Sequence, residues 1–195
     1  MYNLSGLIIM TLFYGSYLCK QFWLRRLGIF TNQLGRGDKP VRTNRIETAL
    51  KISTFSMAAV QIFSLSIIPK TYLLLRHSFI RFTGIGIAFL GTAVFIVAMI
   101  CMKNNWRAGI DAAQRTALIK EGIYRFSRNP AFLGFDLFYI GLTLAFSNPL
   151  QILFTILCVV LLHLQILEEE RFLPTVFGIA YEEYKQSTAR YFLFL

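Results

Sequence analysis

The chain has 195 residues, 55% of them apolar and only 15% charged, with a mean hydropathy of +0.54. A soluble domain carries about 25% charged residues, so these figures exclude disorder and most soluble folds and point to an all-α, polytopic membrane protein. The formal charge of +10, from 20 Lys and Arg against 10 Asp and Glu, does not indicate nucleic acid, because the basic residues crowd between apolar runs, where they suit an anionic membrane surface.

The first apolar run, Leu4 to Leu18, has no positive leader and no A-x-A-like cleavage site, and it ends at Lys20, Arg25 and Arg26. It reads as a retained span, not a removed signal. A charge at the bilayer centre costs about 3 kcal/mol or more, so uncharged runs mark the spans. Met1 to Cys19, Ile52 to Pro69 and Phe82 to Met102 are such runs. After Arg128 the chain reaches Glu168 with Asp136 as its one charge. That is about twice the length one span needs, and Ser147-Asn148-Pro149 supplies a turn near its middle. The pattern predicts five transmembrane helices, over 3–19, 50–69, 80–102, 130–147 and 150–168.

Orientation follows from the basic residues. Lys20 to Lys51 holds eight, Lys103 to Arg128 six and the tail three, against Lys70, Arg76 and Arg81 on the other side. The N-terminus is predicted outside and the C-terminus in the cytoplasm, with the short length favouring the plasma membrane of a prokaryote. The first loop, with Gly35-Arg36-Gly37-Asp38-Lys39-Pro40, reads as a flexible basic connection. From Arg171 the tail mixes Phe172, Phe177, Tyr181 and Tyr184 with Glu182, Glu183 and Lys185, the pattern of a C-terminal cytoplasmic amphipathic helix serving as a lid or as an interfacial anchor. Cys19, Cys101 and Cys158 lack paired or ligand spacing, and His77 and His163 lie in different segments, so no metal site is predicted.

Polar chemistry gathers late in the chain. Lys103 to Pro130 is too polar to span a membrane yet holds Asn104, Asn105, Trp106, Arg107, Asp111, Lys120, Gly122, Tyr124, Arg128 and Asn129. Such backbone is tolerated at membrane depth only where it is buried in protein or lines a cavity. Pro130 suits the first turn of a helix, so the loop delivers Arg128 and Asn129 to the mouth of the bundle. At 100° per residue Asn129, Phe132, Asp136 and Tyr139 share one stripe. Asp136 is a functional candidate as an intramembrane carboxylate, with a structural ion pair as the alternative. His163 shares a face with Leu167 and Glu170. Glu168-Glu169-Glu170 ends a helix where the macrodipole favours cations. Either Arg128, Arg171 and the basic loop neutralise these carboxylates, or they await a cationic ligand.

Three blocks together resemble the isoprenylcysteine carboxyl methyltransferase and phospholipid methyltransferase family. They are Lys120-Glu121-Gly122-Ile123-Tyr124, then Arg128-Asn129-Pro130-x-Phe132-x-Gly134, then Glu169-Glu170 followed by Leu173, Phe177-Gly178, Tyr181, Tyr184 and Arg190. The resemblance covers Asn104 to Phe194. It departs at Asn129, where many members have His, and at Phe132, where Tyr is commoner. It implies an integral membrane enzyme using S-adenosylmethionine, with S-adenosylhomocysteine as product, the cofactor being enclosed between the last two spans and the tail.

The cofactor's charges have complements here. Arg128 would pair with its carboxylate and Glu169 or Glu170 with its ammonium. The backbone from Ile119 through Lys120, Gly122 and Ile123 to Tyr124 would edge the adenine, and Tyr124 and Phe132 would wall the sulfonium. Pro130 and Tyr181 complete the cofactor set, while Arg128, Glu169 and Asp136 are the catalytic candidates. The acceptor is expected to be a lipophilic small molecule, a lipid or a prenylated cysteine carboxyl. A carboxylate acceptor needs no base; an amine or thiol would give Asp136, His163 or a Glu a role in proton removal. The chain divides into 1–102, three helices with a basic loop, and 103–195, the cofactor-binding half. The competing classes are an NADPH-dependent sterol-type reductase and a non-catalytic membrane scaffold.

Overall fold

The computed structural model describes residues 2–110 and 116–192, so Asp111 and the residues after 192 lie outside the described residues. Six α-helices follow in order: α1 Tyr2–Arg26, α2 Val41–Ser66, α3 Ser78–Met102, α4 Pro130–Ala145, α5 Pro149–Phe177 and α6 Ile179–Ser187. Among the described residues the only β-pairing is an isolated bridge between Asn32 and Ala108. Each expected span falls on one of the first five helices. By length and composition three helical stretches are fit to cross a membrane: Val41–Ser66, Ser78–Asn105 and Pro149–Phe177. The apolar α4 has 16 residues and is about 24 Å long.

Three helices outrun the sequence reading. α1 continues to Arg26 instead of 19, α2 begins at Val41 instead of 50 and α5 continues to Phe177 instead of 168. On α2 and α5, ending a span at its first charge fails because Glu47 and Glu168 find their partners within the fold. Glu47 Oε2 accepts from Lys39 Nζ at 2.6 Å and from Gly35 N at 2.8 Å, while its Oε1 accepts from Ile110 N at 2.8 Å. Glu168 accepts from Thr43 Oγ1 at 2.6 Å and from Arg171 at 2.7 Å. Charged side chains that find partners no longer cost the full penalty of burial, and the Thr43–Glu168 bond ties α2 to α5.

The helix starts follow local chemistry. Pro130 opens α4 and Pro149 opens α5 at a position where a missing N–H costs nothing. Asn148 caps α5 by accepting from Gln151 N at 3.0 Å and donates to Ser64 Oγ of α2 at 2.9 Å. α3 and α4 meet along Gly84, Gly91, Gly134 and Gly141. A Cβ on Gly141 would stand 2.3 Å from Ala88 N, and one on Gly91 2.5 Å from Phe138 N, so the two backbones touch where only glycine fits. Phe13 of α1 closes this core, stacked at 3.9 Å on Phe138 and 4.5 Å on Phe95.

The first loop is more ordered than its composition suggests. Thr31 and Gln33 exchange backbone bonds of 2.8 Å with Ala108, and Glu47 gathers Gly35, Lys39 and Ile110 around one carboxylate. Gly109, at φ +93°, leaves no space for a side chain, since a Cβ would lie 2.8 Å from Leu34 N. The tail also divides differently. Residues 171–177 continue α5, Gly178 at φ +54° ends it, and α6 turns Tyr181 and Tyr184 inward while Ile179 stays 78% exposed.

Candidate functional site

A cavity of about 470 Å³ opens between α1, α2, α4, α5 and the segments around Asn32 and Trp106. Its polar end carries Arg128, Asn129, Gln165 and Glu169, and its walls include Tyr124, Phe132 and Tyr139. Away from this end the lining turns apolar and runs between α1 and α2, past Leu18, Phe55, Ala58 and Ile62. Phe55 and Leu18 are 69% and 60% exposed, so the groove reaches the outer, apolar face of the bundle.

The three consecutive glutamates meet three different environments. Glu168 is held by Thr43, Arg171 and Arg42. Glu170 lies between two guanidinium groups: Arg128 Nη2 donates to Oε1 at 2.8 Å and Arg190 Nη2 to Oε2 at 2.8 Å. Asn129 Nδ2 donates to the same carboxylate at 3.4 Å. Glu169 has no ion pair among the described residues; its one hydrogen bond comes from Gln165 Nε2 at 3.1 Å, a turn earlier on α5. Of the three, Glu169 alone lines the cavity. Glu169 is half-buried, and a carboxylate drawn out of water without a cation is costly.

Arg128 does more than face Glu170. Its Nη1 donates to the carbonyls of Lys185, at 2.9 Å, and Thr188. Ser127 Oγ and Asn129 Nδ2 both reach the Arg190 carbonyl at 3.2 Å, and Arg128 N donates to Ala189 O at 2.9 Å. One turn, Ser127 to Asn129, thereby fastens the segment after α6 across the polar end. The hydrogen bonds that Arg190 donates to Glu170 hold its guanidinium above its ordinary pKa. Tyr184 donates to Tyr124 O at 2.6 Å. Burial pushes the Tyr184 phenol up to about 12 and raises Tyr124 and Tyr181 as well. The Tyr184 phenol, protonated at neutral pH, acts as a donor and not as a base.

Tyr124, Arg128, Asn129, Phe132 and Glu169, all expected from sequence, come together on the wall. Glu170 stands behind it, bound to the two arginines. Ile119 and Ile123 pack against the core, Lys120 donates to Ala180 O at 2.8 Å, and Gly122, at φ +63°, lies against Cys101. Pro130 is buried at the start of α4, and Tyr181 packs on Tyr184 with ring centres 6.2 Å apart. Asp136 is not among the lining residues. It flanks the stripe formed by Phe132, Phe135 and Tyr139, and its Oδ1 has no hydrogen-bond partner among the described residues. His163 Nδ1 meets Tyr191 OH at 2.9 Å, away from the cavity lining. Sequence reasoning passed over Gln165, whose i, i+4 spacing from Glu169 was the available signal. It also gave no role to Trp106, Asn32 and Glu47. Trp106 Nε1, Asn32 Oδ1 and Gln165 Oε1 are buried without partners among the described residues, and all three side chains line the cavity.

The described helices form an all-α bundle whose cavity sets a carboxylate without an ion pair among the described residues at one end and an apolar lining at the other. Residues 79–180 match the phospholipid methyltransferase family model. The chain is 28% identical over 151 residues to a probable protein-S-isoprenylcysteine O-methyltransferase of Oryza sativa, covering 74% of this chain and 79% of that protein. It is 28% identical over 137 residues to the protein-S-isoprenylcysteine O-methyltransferase of Saccharomyces cerevisiae, covering 69% and 54%. Protein-S-isoprenylcysteine O-methyltransferase A of Arabidopsis thaliana is 26% identical over 117 residues, covering 58% and 59%. The chain belongs to the phospholipid methyltransferase family and is a membrane methyltransferase.

Proposed function

We propose that this protein moves the methyl group of S-adenosylmethionine to the carboxylate of a lipophilic, prenylcysteine-like acceptor. The observation that carries the reading is Glu169, a carboxylate without an ion-pairing cation among the described residues, at the polar end of a cavity whose other end is apolar and open between α1 and α2. The residues present fit the cofactor. Glu169 complements its ammonium, while the unpartnered Trp106 N–H and the Asn32 and Gln165 oxygens offer one donor and two acceptors to its polar edges. When bound, S-adenosylmethionine supplies an electrophilic methyl: the carboxylate oxygen forms the new O–C bond as the C–S electron pair returns to sulfur.

The chain's own residues do the rest by placement. Arg128 is engaged by Glu170 and the tail carbonyls, so its first task is to hold the tail and the start of α4 in register at the edge of the cavity it lines. Phe132 and Tyr124 wall the reacting region and exclude water, which favours a displacement that destroys charge. No general base is required for a carboxylate, in keeping with the position of Asp136 and His163 off the cavity lining. The wider organisation we read is five spans with the N-terminus outside and the C-terminus cytoplasmic, supported by the exposed apolar flanks of α1 to α5 and the bias of Lys and Arg to one end. Residues 103–195 then supply most of the donor's contacts and 1–102 most of the acceptor's groove.

Calorimetry and thermal shift on purified protein test this reading. S-Adenosylhomocysteine should stabilise the protein and NADPH should not. Glu169→Gln should weaken S-adenosylhomocysteine binding by about 10- to 100-fold, as expected when a charge-assisted bond is lost. Unchanged affinity in both Glu169→Gln and Arg128→Ala sinks the assignment of these residues.

A further inference from the structure

Lys51 lies on α2 about 15 Å from the helix start at Val41, inside a stretch fit to cross a membrane, where a lone cation is expensive. It lines the cavity in the α1–α2 groove, between Leu18 and Gln21 on one wall and Thr54 and Phe55 on its own. The carboxylate one helical turn away, Glu47, is already filled by Lys39, Gly35, Ile110 and Gln165. Lys51 makes no ion pair among the described residues. Gln21, opposite, is turned to Tyr17 OH at 2.8 Å.

The cavity thus holds two charges without ion partners and of opposite sign, Glu169 at the polar end and Lys51 in the apolar groove. We infer that Lys51 is a specificity residue that holds the anionic carboxylate of the acceptor and thereby separates substrate from product. The inference rests on the methyl-transfer reading above. A carboxylic amphiphile arriving through the groove carries one negative charge, which Lys51 attracts. The methyl ester leaving the site carries none, and the attraction ends with the reaction. A neutral groove of the same shape would bind acid and ester about equally and be inhibited by its own product.

The test uses the full chain in detergent, with N-acetyl-S-farnesyl-L-cysteine and its methyl ester as probes. The wild type should bind the acid at least about tenfold more tightly than the ester, a difference of about 1.4 kcal/mol. Lys51→Gln should bring that ratio to near one by weakening the acid alone and raising its KM more than it lowers kcat. Lys51→Arg should keep the ratio. S-Adenosylhomocysteine should stabilise all three forms equally, which separates a failed groove from a failed fold or a failed donor site. An acid-to-ester ratio unaltered in Lys51→Gln overturns the proposal. So does a Lys51→Gln effect confined to vesicles of dioleoylphosphatidic acid, which would give the residue to a lipid phosphate. Loss of S-adenosylhomocysteine stabilisation in the wild type would instead strike at the donor reading, while the binding ratio still reports on Lys51.

Discussion

The seam between α3 and α4 and the groove between α1 and α2 are opposite solutions to packing two helices. Along the seam, four glycines leave out a side chain where the helices come closest and let backbone meet backbone. Across the groove, bulky Tyr14, Tyr17, Leu50 and Phe55 hold the helices apart and leave volume between them. Close backbone packing gives a rigid wall, and α4 carries Asn129, Phe132 and Tyr139 on it; a splayed pair gives a way in. The difference teaches that the polar end of the cavity is anchored to a tightly packed pair of helices while its apolar end is built from a looser one.

Three substitutions sharpen that contrast, beginning with the seam. Gly141→Val would force its side chain against Ala88 N, which a Cβ already approaches to 2.3 Å. Overpacking against backbone costs about 3 kcal/mol or more, so we expect folded protein to be lost altogether in detergent chromatography. Gly15→Ala, where a Cβ meets nothing, is the silent control. The polar end comes next. Arg128→Ala leaves Glu170 with Arg190 alone and frees the tail carbonyls, and breaking a buried pair costs about 3 kcal/mol. Its thermal midpoint should fall well below that of Arg190→Ala, because the Arg128 side chain is 8% exposed and that of Arg190 27%. Equal midpoints would show that the two guanidiniums are interchangeable. The groove gives the smallest change in stability. Ala58→Trp should raise the acceptor KM about tenfold, some 1.4 kcal/mol, while S-adenosylhomocysteine affinity stays put; a change in donor affinity would mean that the two ends are not separate.

How much of this was legible in the sequence depended on whether the deciding partner was local. The five long helices were, because uncharged runs and Pro–Asn turn signals are local facts. The starts of α2 and the end of α5 were not: Glu47 and Glu168 are tolerated only through Lys39, Gly35, Ile110 and Thr43, partners assembled by the fold. The same holds for the acidic triplet, whose sequence left neutralisation and ligand binding open. The fold sets arginines against Glu168 and Glu170 and, among the described residues, none against Glu169. Asp136 shows the limit of periodicity, since a stripe drawn at 100° per residue cannot say which edge of it faces the cavity and which faces α5. Lys51 was counted with the loop charges because nothing local reveals that α2 has already begun ten residues earlier.

The last turn of α6 and the segment after it are held chiefly through their peptide carbonyls, at Lys185, Thr188, Ala189 and Arg190, which accept hydrogen bonds from Ser127, Arg128 and Asn129. A clasp that grips main chain is blind to the side chains it grips. Side chains of the tail act elsewhere, Arg190 on Glu170, Tyr191 on His163 and Tyr184 on the Tyr124 carbonyl, and the signature of the clasp is written in the three residues that do the gripping.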